Sequence, residues 1–272
     1  MKSIYLKSAI QKVDMSKKQY KLGLALSGGG MKGVAHCGVL RRLEEMGLCP
    51  DVISGVSAGS IVGSLYADGA PIRTILEVFK SGSFVKTVKP NMPTKHGGLS
   101  SMKGYCDLLT KTLHAKKFED LQIPLIINAT DLMSGQIKYF TTGSVSDAVC
   151  ASACVPGVFN PMEIEGRLYV DGGMLCNLPA SILRDKCEKV IGVHVNPIMP
   201  VERNEVEGLM GIAERVFHLA INGNTNEQKK FCDLVINMSH ELSVSMFDNS
   251  KAEEVYQMGY KKACEALEGF EI

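Results

Sequence analysis

Three short stretches bring together residue types that chemistry needs. Ser27-Gly28-Gly29-Gly30-Met31-Lys32-Gly33 is a glycine loop, Gly55-Val56-Ser57-Ala58-Gly59 sets a serine between two glycines, and Asp171-Gly172-Gly173 puts a carboxylate before a flexible turn. Glycines in the first loop leave backbone N–H groups unobstructed, and at the start of a helix such donors stabilise negative charge. That charge can be a phosphate or the oxyanion formed when a carbonyl is attacked. A Gly-x-Ser-x-Gly run between strand and helix turns the chain so sharply that the serine hydroxyl is pushed into the open. Gly55 and Gly59 read as the two sides of that elbow, where strand and helix approach too closely for a Cβ, and Ser57 reads as a nucleophile.

The first loop also satisfies Gly-x-Gly-x-x-Gly from Gly28 to Gly33, the pattern of a dinucleotide-binding turn, with Asp51 eighteen residues beyond Gly33 as the ribose acid. Asp51 precedes the strand signal Val52-Ile53-Ser54, however, and so sits at the amino end, away from the phosphate loop. A nucleotide- or phospholipid-binding module without catalysis is the alternative this motif supports. A serine hydroxyl near neutral pH needs a base within hydrogen-bond reach. Among the six histidines, His194, His218 and His240 follow Ser57 in the order a Ser-acid-His triad requires, but none occupies an obvious loop at a strand end. Asp171 ends the strand signal Leu168-Tyr-Val170, and the two glycines after it let the chain turn and aim the carboxylate at a neighbouring loop. A free aspartate, with a pKa of about 3.9, is a weak base, so this choice requires either desolvation that raises it or a base strengthened as substrate excludes water.

These stations must be held by secondary structure. Leu22–Leu26 is a short buried-strand signal that stops at the glycine loop, and Ala35, Val39, Leu43 and Met46 then recur at helical spacing until Gly47. The second strand and a helix from about 58 to 68 repeat that order, which predicts a parallel sheet. Further strands are expected at 124–130, 136–140, 190–195 and 234–237, and further helices at 71–80, 104–114, 179–186, 209–221 and 250–268. Met162–Val170 reads as a hairpin turning at Glu165-Gly166, so part of the sheet is antiparallel. Residues 81–103 show no periodicity and are expected to form a lid or mobile loop; their hydrophobes interleave with lysines, and a solvated loop is the simpler reading. Residues 1–20 are expected to be a polar leader, and 21–268 a single domain.

Composition narrows the function classes. With 45% apolar residues, 22% charged residues and a net charge of +1, the chain is neither disordered nor strongly basic, so no global field draws a nucleic acid. Nine scattered cysteines without a Cys-x-x-Cys pair argue against a zinc site and for a reduced, cytoplasmic setting. No apolar run reaches the roughly 20 residues that span a bilayer, so membrane contact, if any, is peripheral.

Taken together, the three stations resemble the patatin-like phospholipase family in order and spacing. The likeness extends through Val34-Ala-His-Cys-Gly-Val-Leu40, Ala151-Ser-Ala-Cys-Val-Pro156 to Phe159, and Phe247 with Gly259-Tyr260, about residues 20–268. It implies a three-layer α/β/α fold with a mostly parallel central sheet and an antiparallel hairpin. It also implies a lipid acyl hydrolase with a Ser-Asp dyad and neither metal nor organic cofactor. By position, Ser57 is then the nucleophile, Asp171 the proton acceptor, and the N–H groups of Gly28, Gly29 and Gly30 the oxyanion hole. Met31, Lys32 and Gly33 flank that hole, with Lys32 keeping a positive charge where many members have Arg. The implied partner is a lipid or other ester substrate.

Overall fold

Leu22, Leu24 and Leu26 alternate with Gly23 and Ala25, so the first strand is apolar on both faces and both must be covered. The computed structural model describes residues 18–81, 100–198, 200–238, 244 and 248–271. In it the three leucines pack among helices on one face of a sheet, while Ala25 packs with Leu178, Leu183 and Val190 on the other. The strands are β1 (Tyr20–Leu26), β2 (Val52–Gly55), β3 (Leu125–Asp131), β4 (Gln136–Phe140), β5 (Met162–Ile164), β6 (Arg167–Asp171), β7 (Cys187–His194) and β8 (Leu234–Asn237). Their order is β5-β6-β3-β2-β1-β7-β8, with β4 paired to β3. The run from β3 to β8 is parallel, and β4, β5 and β6 supply the antiparallel part.

One register detail positions the chemistry. Ile127 of β3 pairs with Gly55 of β2 on one side and with Phe140 of β4 on the other. Two residues on, Ala129 pairs with Lys138 of β4 and with Asp171 of β6. β2 and β6 therefore occupy the same edge of β3, one after the other. Because β2 runs parallel to β3 and β6 antiparallel, their carboxyl ends point at each other.

The helices are α1 (Ala35–Glu45), α2 (Ala58–Ala67), α3 (Ile72–Lys80), α4 (Lys103–Thr112), α5 (Val145–Ser152), α6 (Ser181–Arg184), α7 (Gly208–Lys229) and α8 (Ala252–Ala266). α5 has no counterpart in the periodicity because it is buried nearly all round and lacks a polar stripe; Ser144 Oγ, accepting from Asp147 N at 3.3 Å, starts it. α6 is a single turn where a longer helix is expected, since the chain enters β7 at Cys187. α7 runs eight residues beyond its expected end at 221. Most of the expected lid, residues 82–99, lies outside the described residues, as do the leader up to residue 17, His240 and Phe247. Cys106 of α4 and Cys150 of α5 are joined by a disulfide, with Cα atoms 6.0 Å apart, where the scattered cysteines suggested reduced thiols. A sequence separation of 44 hides the fact that the two helices pack together.

α1 and α8 cross at two glycines. A Cβ on Gly38 would lie 2.2 Å from the Tyr256 carbonyl oxygen, and one on Gly259 would lie 2.1 Å from that of Ala35. Alanine gains about 1 kcal/mol of helix propensity over glycine, but backbone overlap this tight costs about 1–3 kcal/mol. Gly259→Ala is therefore expected to lower the free energy of unfolding in urea. Gly223→Ala, where a Cβ on α7 meets nothing within 4 Å, is expected to raise it by about 0.5–1 kcal/mol.

Candidate active site

Ser57 follows the end of β2 with φ 51° and ψ −123°, a strained conformation for a residue with a side chain. The surroundings hold it there. A Cβ on Gly55 would lie 2.7 Å from the Gly59 carbonyl oxygen, and one on Gly59 would lie 2.3 Å from that of Leu26, so neither position tolerates a larger residue. Ser57 N–H donates to Ser152 Oγ at 2.8 Å, and that hydroxyl donates to the Asn128 carbonyl at 2.7 Å. The Ser57 carbonyl accepts from Ser60 N and Oγ at the start of α2.

Asp171 arrives from the opposite direction at the end of β6. Its backbone is pinned by N–H donation to the Cys154 carbonyl at 2.8 Å and by Thr130 Oγ1 donating to its carbonyl at 3.0 Å. Its side chain accepts from Gly173 N at 2.7 Å and lies close enough to the Ser57 hydroxyl for that group to favour its charged form. The sequence reading leaves this carboxylate exposed toward a loop, whereas it is 1% exposed. Burial pushes its pKa up to about 6, against the opposing pull of the nearby Ser57 hydroxyl and the Gly173 N–H.

Both residues line one pocket together with Gly28, Gly29 and Gly30 at its polar end and with Ile61, Phe79, Tyr105, Val155 and Phe217 along its apolar wall. The glycine loop is steadied by His36 Nε2, which donates to the Ser27 carbonyl at 2.9 Å, and by Val195 N donating to Ser27 Oγ at 3.0 Å. Gly28 N–H donates to the Asn177 carbonyl at 3.3 Å, while the N–H groups of Gly29 and Gly30 donate to no described residue. Met31 lines the same pocket, Gly33 packs on Ala58, and Lys32 Nζ donates to Asn196 Oδ1 at 2.9 Å. Asp51 is far from this chemistry: its carboxylate accepts from Lys21 and Leu22 N–H at the amino end of β1.

His194 bonds Asn237 Oδ1 at 3.1 Å across β7 and β8. His218, although in mid-helix, lines the pocket. Burial and nearby cations push both imidazoles down to about 4. The periodic apolar series Ile212, Val216 and Leu219 of α7 faces outward, each more than half exposed, while Phe217, His218 and Ile221 face the pocket. Asn128, Asn177 and Asn196 are site residues that no motif singled out, and Ser152 stood only within the Ala151–Pro156 stretch of the likeness. Their one sequence signal is a neutral polar residue set inside an apolar run. Among the described residues no cluster of His, Cys, Asp and Glu is arranged to hold a metal, and no helix is long and apolar enough to cross a membrane.

The family model for patatin-like phospholipases matches residues 24–184. An uncharacterized NTE family protein of Mycobacterium bovis is 32% identical over 179 residues, covering 65% of this chain and 49% of the relative. A lysophospholipase of Mycosarcoma maydis is 26% identical over 280 residues, which is 92% of this chain and 15% of that one. The chain thus spans about half the length of the mycobacterial relative and a small part of the fungal one. Among solved structures, VipD from Legionella pneumophila superposes with a TM-score of 0.55 at 16% identity, covering 92% of this chain and 67% of that one, a likeness of fold.

A buried aspartate with a raised pKa works against folding. Below the unfolded pKa of 3.8 the carboxyl is protonated in both states and costs nothing; as pH rises toward about 6 the unfolded chain ionises first and stability falls. Asp171→Asn, which removes the charge and keeps an acceptor for Gly173, is expected to raise the melting temperature at pH 7–8. The gain is expected to reach up to about 3 kcal/mol and to fade as pH drops to 4, as read by thermal melts across pH.

Proposed function

The chain belongs to the patatin-like phospholipase family, and from that premise we propose that it hydrolyses the carboxylic ester of a lipid, with Ser57 as nucleophile and Asp171 as proton acceptor. The observation that carries this reading is that Ser57, at a strained elbow, and a buried Asp171 line one pocket with the glycine loop, the serine hydroxyl near enough to act on the carboxylate. Burial raises the basicity of the carboxylate toward the operating pH, which a proton acceptor needs. Asp171 takes the hydroxyl proton as Ser57 Oγ bonds to the ester carbonyl carbon, and negative charge moves to the carbonyl oxygen. The glycine loop receives that charge; Gly29 and Gly30 have N–H groups to offer, and Gly28, already bonded to Asn177, lets the loop approach Ser57 closely. Lys32 adds a positive charge beside the loop.

The tetrahedral intermediate collapses as the C–O bond to the alcohol breaks, and Asp171 returns its proton to that alcohol. A water molecule, deprotonated by the same carboxylate, then attacks the acyl-serine. The fatty acid departs and the proton goes back to Ser57. The apolar wall suits an acyl chain. Contact with a lipid surface falls to the outer face of α7, where Leu209, Ile212, Val216 and Leu219 lie at spacings of three and four and the same helix continues into the pocket wall.

Ser57→Ala and Asp171→Asn are expected to lower ester turnover at least about 10⁴-fold, and a fluorophosphonate is expected to label wild type at Ser57; a folded, unlabelled, inactive wild type refutes the reading. The rate at subsaturating ester is expected to fall on the acid side with a midpoint near pH 6, as Asp171 takes up a proton. His218→Ala is expected to keep that midpoint, its imidazole titrating near 4. Replacing Leu209 and Val216 together by Glu is expected to lower the ratio of turnover on phosphatidylcholine vesicles to turnover on a soluble short-chain ester by about tenfold or more; an unchanged ratio removes α7 from the membrane contact.

A further inference from the structure

Asn177 is 1% exposed and lines the pocket with Ser57 and Asp171. Its structural connections run through the backbone. The N–H donates to Asn224 Oδ1 at 2.8 Å and the carbonyl accepts from Gly28 N–H at 3.3 Å, while Asn224 Nδ2 donates to the Gly173 carbonyl at 2.9 Å. The glycine loop, the turn after Asp171 and α7 are thereby tied together without the carboxamide. Of its two polar ends, Nδ2 is enclosed and Oδ1 is the one beside the dyad. A Cβ placed on Gly28 would be 2.5 Å from Asn177 Oδ1 and 3.0 Å from Ser57 Cβ. One placed on Gly173 would be 2.8 Å from Asn177 Oδ1 and 2.9 Å from Asp171 Oδ1.

Two acceptors, one charged and one neutral, thus flank one spot next to the nucleophile. Their separation is within the span of a single water molecule, which has two protons and needs an acceptor for each. A carboxylate alone leaves such a molecule free to turn about one hydrogen bond. A second acceptor fixes where its lone pair points, and that direction decides whether it meets a carbonyl carbon. Neither oxygen has a proton to offer a developing oxyanion, so the pair suits the second half of the reaction. There the attacking group is water, and the acylated Ser57 no longer brings a hydroxyl to Asp171.

We propose that Asn177 Oδ1 holds the water that releases the acyl group from Ser57. That water donates one hydrogen bond to Asp171 and the other to Asn177 Oδ1. As its oxygen bonds to the acyl carbon, Asp171 takes the first proton. The bond from that carbon to Ser57 Oγ then breaks, the proton passes from Asp171 to Oγ, and the second proton leaves with the fatty acid. The inference rests on the Ser57–Asp171 reading given above and concerns its deacylation half.

The test compares wild type, Asn177→Ala, the nearly isosteric Asn177→Leu and Ser57→Ala on p-nitrophenyl butyrate, with thermal melts and rapid-quench mass spectrometry of the butyryl-enzyme. Both Asn177 variants keep the backbone bonds. Either one that folds is expected to lose about 10²-fold in kcat, while kcat/KM and the rate of fluorophosphonate labelling, which report attack by Ser57, stay within about threefold. The butyryl-enzyme is expected to accumulate and to decay at least about tenfold more slowly than wild type turns over. Labelling or kcat/KM that falls as far as kcat overturns the proposal, because Asn177 then acts in the first half of the reaction or by holding Asp171. So does a loss of kcat below about tenfold, or a butyryl-enzyme that decays as fast as wild type turns over. Failure of both variants to fold also overturns it, since the side chain would then be structural. Where wild type turns over and Ser57→Ala does not, these outcomes bear on Asn177 alone. A wild type without Ser57-dependent turnover overturns the dyad and this inference together.

Discussion

The shared edge of β3 is the constraint on which the site depends. β2 leaves that edge at Gly55, opposite Ile127, and β6 arrives on it at Asp171, opposite Ala129. A serine two residues past one strand end and an aspartate at the other are thereby brought face to face across a short gap. Asn128, between the two pairing positions, completes the junction: its carbonyl accepts from Ser152 Oγ, which holds Ser57 N–H, and its Nδ2 donates to the carbonyls of Gly172 and Cys176. One residue of β3 therefore braces the chain on both sides, at Ser57 and after Asp171. Backbone strain at Ser57 is sustained by these contacts and by the tight packing at Gly55 and Gly59.

Burial gives this pair its electrostatic character. A carboxylate in water is a weak base; with the same carboxylate enclosed, the ionised form loses hydration that the Gly173 N–H and the nearby Ser57 hydroxyl only partly replace. The imidazoles nearby move the other way, because burial favours their neutral form and Lys32 repels a second positive charge at His218. The site thus holds an aspartate more basic than usual beside histidines less basic than usual, and Ser57 faces the aspartate.

α7 shows where periodicity misleads. Ile212, Val216 and Leu219 form a regular apolar stripe, the usual mark of a face turned to the core, yet they face outward, and the pocket is lined instead by Phe217, His218 and Ile221. A hydrophobic stripe records that some surface of a helix is apolar, and which surface is covered depends on what packs against it. α5 fails in the opposite sense. Helices buried all round carry no stripe, so Val145–Ser152 has no periodic signature although Ser152 is one of the supports of the site.

What the chain declares by itself is local. The strand, glycine loop and helix order, the elbow at Ser57 and the turn after Asp171 are legible because each is a steric requirement among residues close in sequence, and a glycine where backbones nearly touch leaves a mark that composition alone preserves. The parallel sheet and its hairpin follow from the same kind of evidence. Tertiary structure decided the rest. The meeting of Ser57 with Asp171 depends on the register of β3, the raised basicity of Asp171 on how completely other elements exclude water from it, and the placement of Asn177 and His218 on how α7 packs. Burial and register are sums over contacts between distant segments, and no window of sequence contains them.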